Sequence, residues 1–122
     1  FKSFNDTYGH LFGDTVIKGI ARRLHLSCRD GIQAYRFGGE EFALIVPNKT
    51  LRIARQFAES LRRAVEKLSI KDRRTAQQVG NITISMGVAE LQPGESAESL
   101  IERADKLLYE AKELGRNRAM PI

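Results

Sequence analysis

The fold turns on the stretch Arg36-Phe37-Gly38-Gly39-Glu40-Glu41-Phe42-Ala43-Leu44-Ile45. Two glycines separate two apolar runs. A two-residue type I′ turn needs positive φ at both central residues, and Gly38-Gly39 meets that without a Cβ clash. The pattern predicts an antiparallel pair of strands, Gln33 to Phe37 and Glu41 to Val46, with Asp30-Gly31 before it and Pro47-Asn48 after it as breakers. An antiparallel hairpin excludes a purely parallel sheet of the Rossmann type.

Working outward, Val16, Ile17, Ile20, Ala21 and Leu24 recur at helical spacing and predict a helix over 14–27, with Asp14 placed to cap its start. A second helix over 50–68 puts Ile53, Phe57, Ala58, Leu61, Ala64, Val65 and Leu68 on one face. The polar segment Lys71 to Gln78 reads as a loop, and Asn81 to Leu91 as a strand. Pro93-Gly94 reads as a turn. A third helix over 97–114 directs Leu100, Ile101, Ala104, Leu107, Leu108 and Ala111 inward and stops at Gly115. A short last strand includes Arg118 to Met120. Three amphipathic helices and at least three strands imply an α/β sandwich of helices on a sheet. Each buried Leu or Ile contributes roughly 1.5–3 kcal/mol, enough for one core.

The chain has 122 residues, which suggests one domain. With 42% hydrophobic and 29% charged residues it has a globular rather than a disordered composition. No run approaches the roughly 18–20 apolar residues of a membrane span. It starts at Phe1 without an initiator Met and reads as a fragment, any upstream targeting or sensory segment lying outside it. The single cysteine, Cys28, rules out an internal disulfide and fits a reducing compartment. A packed or half-exposed thiol is expected there, not a nucleophile. The net charge of +5 suggests anionic partners, nucleotide or nucleic acid.

Three constellations carry chemistry. Glu40 and Glu41 alternate along a strand, so one carboxylate faces the covered side of the sheet unless it leaves the sheet at the turn. A charge there needs a partner, a metal or water. Paired hard oxygens at a tight turn suit Mg²⁺, which is held by one or two carboxylates plus substrate phosphates, and the metal reading is favoured over a solvated turn. The N-terminal stretch from Phe1 to Asp14 is irregular and polar. Asn5 and Asp14 are candidate base readers: a carboxylate can accept both donors on the guanine edge, N1–H and the N2 amine, beside which an amide supplies or accepts a further bond. Their bland counterparts are an Asx-turn and a helix N-cap. Lys112 and Arg116, four residues apart at the end of the third helix, suit either the helix macrodipole or a phosphate clamp.

The order of these signals is more specific than any one of them. Phe1-Lys2-x-x-Asn5-Asp6-x-x-Gly9-His10-x-x-Gly13-Asp14, then Arg36-Phe37-Gly38-Gly39-Glu40-Glu41-Phe42, then Ala104-Asp105-x-x-Leu108-Tyr109-x-Ala111-Lys112-x-x-Gly115-Arg116-Asn117 together resemble the GGDEF family of diguanylate cyclases. Gly-Gly-Glu-Glu-Phe is a variant of that family's signature, with Glu40 in the Asp position. The resemblance spans nearly all of 1–122 and implies a GGDEF domain lacking its N-terminal helix and first strand. The implied fold is a palm-type, nucleotidyl-cyclase-like α/β (α+β) sandwich whose central, mostly antiparallel sheet is flanked by helices.

The resemblance also implies an activity. Two GTP molecules are condensed to cyclic di-GMP with release of two pyrophosphates, one GTP per domain, across a homodimer. Asn5 and Asp14 would read guanine, and Gly38-Gly39 would let the backbone approach the phosphates. Glu40 would bind Mg²⁺ or Mn²⁺; Glu41 would bind metal or assist deprotonation of the ribose 3′-OH. Lys112, Arg116 and Lys2 would hold the outer phosphates. A further metal-binding Asp is expected upstream of Phe1. The family's product-inhibition pattern, Arg-x-x-Asp, retains only Arg29, since Ile32 stands at the Asp position, so weak feedback is expected. An upstream sensory or regulatory domain and a cytoplasmic catalytic domain, in a protein with or without a membrane anchor, complete the expectation. The rivals are a degenerate domain that binds GTP or cyclic di-GMP without turnover, and a nucleic-acid module. The second rests on charge alone, and no nucleic acid is expected as partner.

Overall fold

The structure is a computed structural model that describes residues 10–29, 31–38, 40–68, 70–71, 78–79 and 82–121. In chain order the elements are α1 (His10–Leu26), β1 (Gln33–Gly38), β2 (Glu41–Ile45), α2 (Leu51–Glu66), β3 (Ile70–Lys71), β4 (Gln78–Val79), β5 (Met86–Gly87), α3 (Ala97–Glu113) and β6 (Ala119–Met120). The chain forms two compact units, one of residues 1–47 and 67–82, the other of 48–66 and 83–122.

In the first unit α1 packs on β1 and β3. Val16, Ile17, Ile20 and Leu24 are buried, as their spacing requires, and Ala21 is half-buried. The helix starts at His10, four residues before the expected start, so Asp14 is an exposed residue of its second turn and not its cap. Gly13 hid this extension. A helical glycine costs about 1 kcal/mol of propensity, but here it is buried, and packing outweighs the local preference. At the other end the Ser27 hydroxyl donates to the Arg23 carbonyl (3.0 Å) and the Cys28 thiol to the Leu24 carbonyl (3.2 Å). The half-buried thiol is thus a helix-end donor.

Strands β1 and β2 are antiparallel, with Gln33 opposite Ile45 and Arg36 opposite Phe42, but Gly38 rather than Phe37 faces Glu41. Phe37 is the extra residue of a β-bulge. The bulge shifts the turn: Gly38 ends β1 at φ 158°, paired with Glu41, and is not one of the two central turn residues expected of it, while Glu40 lies in the turn. Gly39 lies outside the described residues. Ile70–Lys71 pairs with Gln78–Val79, so the ends of the expected polar loop form a short antiparallel hairpin.

The second unit contains α2, α3, β5 and β6. Strands β5 and β6 are parallel, with Met86 opposite Ala119 and Gly87 opposite Met120. The strand expected over Asn81 to Leu91 is reduced to Met86–Gly87 in the ladder, because β6 offers only two residues to pair with. The Val88 N–H still donates to the Met120 carbonyl at 2.8 Å. A Cβ on Gly87 would overlap the carbonyl oxygen of Ala104 and the amide of Leu108, so α3 lies directly on β5. Ala111 and Met120 are buried, as are Ala58, Leu61 and Val65 of α2. Ile53, expected inward, is 43% exposed in the first turn of α2; Ile101, expected inward on α3, is also exposed.

Both helices of this unit are capped. The Ile53 N–H donates to Thr50 Oγ1 (3.3 Å), and the first α2 amide, on Leu51, donates to the Glu90 carboxylate (2.8 Å). Ser96 accepts from the Ser99 N–H (3.1 Å) as the N-cap of α3. Before it, Gln92-Pro93-Gly94-Glu95 closes with a 3.0 Å bond from the Glu95 N–H to the Gln92 carbonyl, and Gly94 at φ 76° supplies the left-handed position of a type II turn.

Candidate active site

Two of the expected groups of site residues can be placed, one in each unit. In the first unit, the β1–β2 hairpin carries Gly38, Glu40 and Glu41 at one end. Glu40 is in the turn and Glu41 is the first residue of β2; both are exposed. Neither therefore faces a covered side of the sheet. Glu40 sits in the turn and Glu41 at the exposed start of β2, so both charges lie at the end of the hairpin, ahead of its apolar run. The apolar residues that follow, Phe42, Ala43 and Leu44, are half-buried.

Asp14 is exposed on α1, a separate element of the same unit. Arg29 is exposed and Ile32 half-buried; a 2.9 Å bond from the Ile32 N–H to the Arg29 carbonyl closes a turn through Gly31, at φ 82°. Ile32 lines an open recess of about 410 Å³ with His25, Cys28, Gln33, Ala34 and Tyr35. Lys2, Asn5 and Gly39 lie outside the described residues.

In the second unit, Lys112 and Arg116 are exposed at the end of α3. The Arg116 N–H donates to the Ala111 carbonyl (2.9 Å) and the Gly115 N–H to the Lys112 carbonyl (3.4 Å), the paired bonds of a Schellman motif with Gly115, φ 116°, after the C-cap Leu114. The chain then stays left-handed: Arg116 has φ 63° and Asn117 φ 50°. A non-glycine residue held there costs about 1–3 kcal/mol and persists only where its surroundings over-determine it.

Asn117 is tied to α2 and to Ser85. Its Oδ1 accepts from Arg62 Nη1 (2.9 Å), its Nδ2 donates to Glu66 Oε2 (2.6 Å), and its N–H donates to Ser85 Oγ (3.2 Å). Arg62 donates to Glu59 through Nε (3.0 Å) and Nη2 (2.5 Å) and lies 3.6 Å from Glu66. The hydrogen bond from Arg62 holds the Glu59 carboxyl below its usual range, and the same bond raises the Arg62 guanidinium. Sequence reasoning assigned Asn117 no role. Its partners lie 32 to 55 residues away, beyond any local pattern, and the available signal was its place in the Gly115-Arg116-Asn117 run that the family resemblance includes.

An α/β domain with a carboxylate-bearing hairpin in one unit and a cationic helix terminus in the other is the class of protein at hand. Comparison with known families matches residues 1–118 to "Diguanylate cyclase, GGDEF domain", and the chain belongs to this family. It is 68% identical over 122 residues to diguanylate cyclase VdcA of Vibrio cholerae, covering all of this chain and 36% of that protein. The chain thus spans 36% of the length of that relative. Among solved structures, the GGDEF domain of DgcB from Caulobacter crescentus in complex with c-di-GMP superimposes with a TM-score of 0.91 at 43% identity, over 97% of this chain and 69% of that one. The active GGEEF domain of a diguanylate cyclase from Vibrio cholerae gives 0.83 at 28% identity, over 97% and 73%. The fold is the palm-type α/β fold of these domains.

Diguanylate cyclases of this family generally need divalent metal ions. The hairpin's donor set fits such an ion: two adjacent carboxylates, hard oxygens that suit a hard cation. Among the described residues no group of three or more His, Cys, Asp and Glu side chains comes together, so the remaining ligands would come from water, substrate phosphates or residues outside this set.

Proposed function

We propose that this chain is the catalytic domain of a diguanylate cyclase, joining two GTP molecules into cyclic di-GMP across a pair of identical domains. The observation that carries the reading is the exposed Glu40-Glu41 pair at the hairpin end, within a GGDEF-family chain whose signature positions are intact. In each of two equivalent steps, the ribose 3′-oxygen of one GTP attacks the α-phosphorus of the other. The bond to the β-phosphate oxygen breaks, pyrophosphate leaves and the 3′-OH proton passes to a base. A divalent ion, Mg²⁺ or Mn²⁺, held by Glu40 would lower the effective pKa of the 3′-OH and neutralise charge on the phosphates.

The chain's own groups divide the remaining work. Glu40 holds the metal, with Glu41 as second ligand or proton acceptor. Asp14 and Asn5 accept and complete hydrogen bonds on the guanine edge; adenine would turn a ring lone pair toward the carboxylate. Gly38 and Gly39 leave room for phosphate beside the backbone. Lys112, Arg116 and Lys2 stabilise the leaving pyrophosphate. The described residues contain no helix long and apolar enough to cross a membrane. The family resemblance is the support for a cytoplasmic catalytic domain controlled by a regulatory domain elsewhere in the protein.

The test is incubation of the full-length protein with GTP and Mg²⁺, in parallel with Glu40→Ala. The expected result is cyclic di-GMP from the parent and none from the variant, with the fold intact by circular dichroism. Full activity in Glu40→Ala would remove the metal assignment. Nucleotide binding without product from a dimer-competent parent would make the domain a binding module.

A further inference from the structure

We propose that Asn117 is a positioning residue that holds Arg116 in its left-handed conformation and so directs the Arg116 guanidinium. The inference rests on the assignment of Arg116 to the GTP phosphates. Arg116 is exposed at its side chain but fixed at its backbone: its N–H donates to the Ala111 carbonyl (2.9 Å), and its own carbonyl accepts from Arg118 Nε (3.1 Å). Both bonds are to neighbours within five residues, so they tether Arg116 (φ 63°) to its own turn and not to another element. The link beyond that turn comes from the next residue, whose side chain and N–H are tied to α2 and to Ser85.

The chemistry of this anchor requires an amide. One of its atoms accepts from a guanidinium and the other donates to a carboxylate, Arg62 and Glu66 in turn. Aspartate would set a second carboxylate against Glu66; alanine would leave both partners without their bond. The anchor is itself anchored, since Arg62 is clamped by Glu59 one turn earlier on α2. Arg62 and Asn117 are half-buried and Arg116 is not, so the network can orient the arginine without competing for its head group.

The experiment uses the full-length protein and reads kcat/KM for GTP together with Tm. The variants are Asn117→Ala, Asn117→Asp, Arg116→Ala and the Asn117→Ala/Arg116→Ala double. A purely structural residue would act equally with and without the arginine, whereas a positioning residue acts only through it. The expected result is a loss in kcat/KM of about tenfold for Asn117→Ala, the same direction for Asn117→Asp, and no further loss on adding Asn117→Ala to Arg116→Ala. An equal loss in both backgrounds overturns the proposal. If Arg116→Ala leaves kcat/KM unchanged, the phosphate assignment falls, and a crystal structure of Asn117→Asp then decides the positioning alone: a positive φ retained at Arg116 overturns it, and its loss upholds it.

Discussion

Glu95 shows how much a single carboxylate can gather on a surface. It accepts from Arg103 Nε (2.7 Å) and Nη2 (2.6 Å), from Ser99 Oγ (2.8 Å) and from the Gln92 N–H (3.1 Å). The Arg103 hydrogen bonds, then the Gln92 amide, lower its carboxyl from 4.5 to about 2. A depressed acid stabilises the native state above its unfolded value and loses that contribution as pH falls through the folded one. Part of the stability should therefore disappear between about pH 4.5 and about pH 2. Urea midpoints measured across that window should fall less steeply in Glu95→Gln than in the parent. At Asp14 the expectation has the opposite character. Because this residue lies inside α1 and not at its cap, Asp14→Ala removes no capping bond and should leave stability unchanged or raise it by up to ~0.7 kcal/mol of helix propensity, read as an unchanged or slightly higher Tm. The same variant should lose discrimination of GTP over ATP, so thermal melts and competition kinetics separate the two roles.

At the scale of elements, Gly87 sets how closely α3 can lie on β5. A Cβ there meets main-chain atoms of Ala104 and Leu108, which no rotamer change can move aside. Gly87→Ala should destabilise by about 1–3 kcal/mol or more, read as a lower urea midpoint. The sequence pattern shows a glycine inside an apolar strand but not the helix above it, so this contact was not legible there. Elements whose causes are local were legible. The hairpin at 33–45, the Pro93-Gly94 turn and the stop at Gly115 all follow from neighbouring residues. Where tertiary packing decides, the pattern fell short: α1 runs through Gly13, Phe37 bulges out of register at 61% exposure, and β3 and β4 pair across a segment too polar to signal strand. The candidate site divides in the same way. Glu40, Glu41, Lys112 and Arg116 were singled out as candidates through local spacing and family resemblance, whereas the contacts of Asn117 are to residues distant in sequence.

At the scale of the whole molecule, the proposed reaction, with one GTP from each of two domains, would make activity depend on encounter. Specific activity should rise with enzyme concentration through the dimerisation range; a value independent of concentration in a monomeric sample would rule out the two-domain scheme. Retaining Arg29 but placing Ile32 four residues into that turn segment should leave product inhibition weak, and Arg29→Ala should not change the inhibition constant for cyclic di-GMP. The interleaving of the two units has a consequence for synthesis. The first unit includes residues 67–82, which follow α2, and the second draws on Arg118 and Met120, at and just before β6, for the carbonyls that accept from Met86 and Val88. A nascent chain released from the ribosome through Glu113 can hold α3 but not the parallel pair beneath it. Neither unit can close while its own first half is being translated, so a chain stalled between them presents incomplete apolar faces to chaperones and proteases.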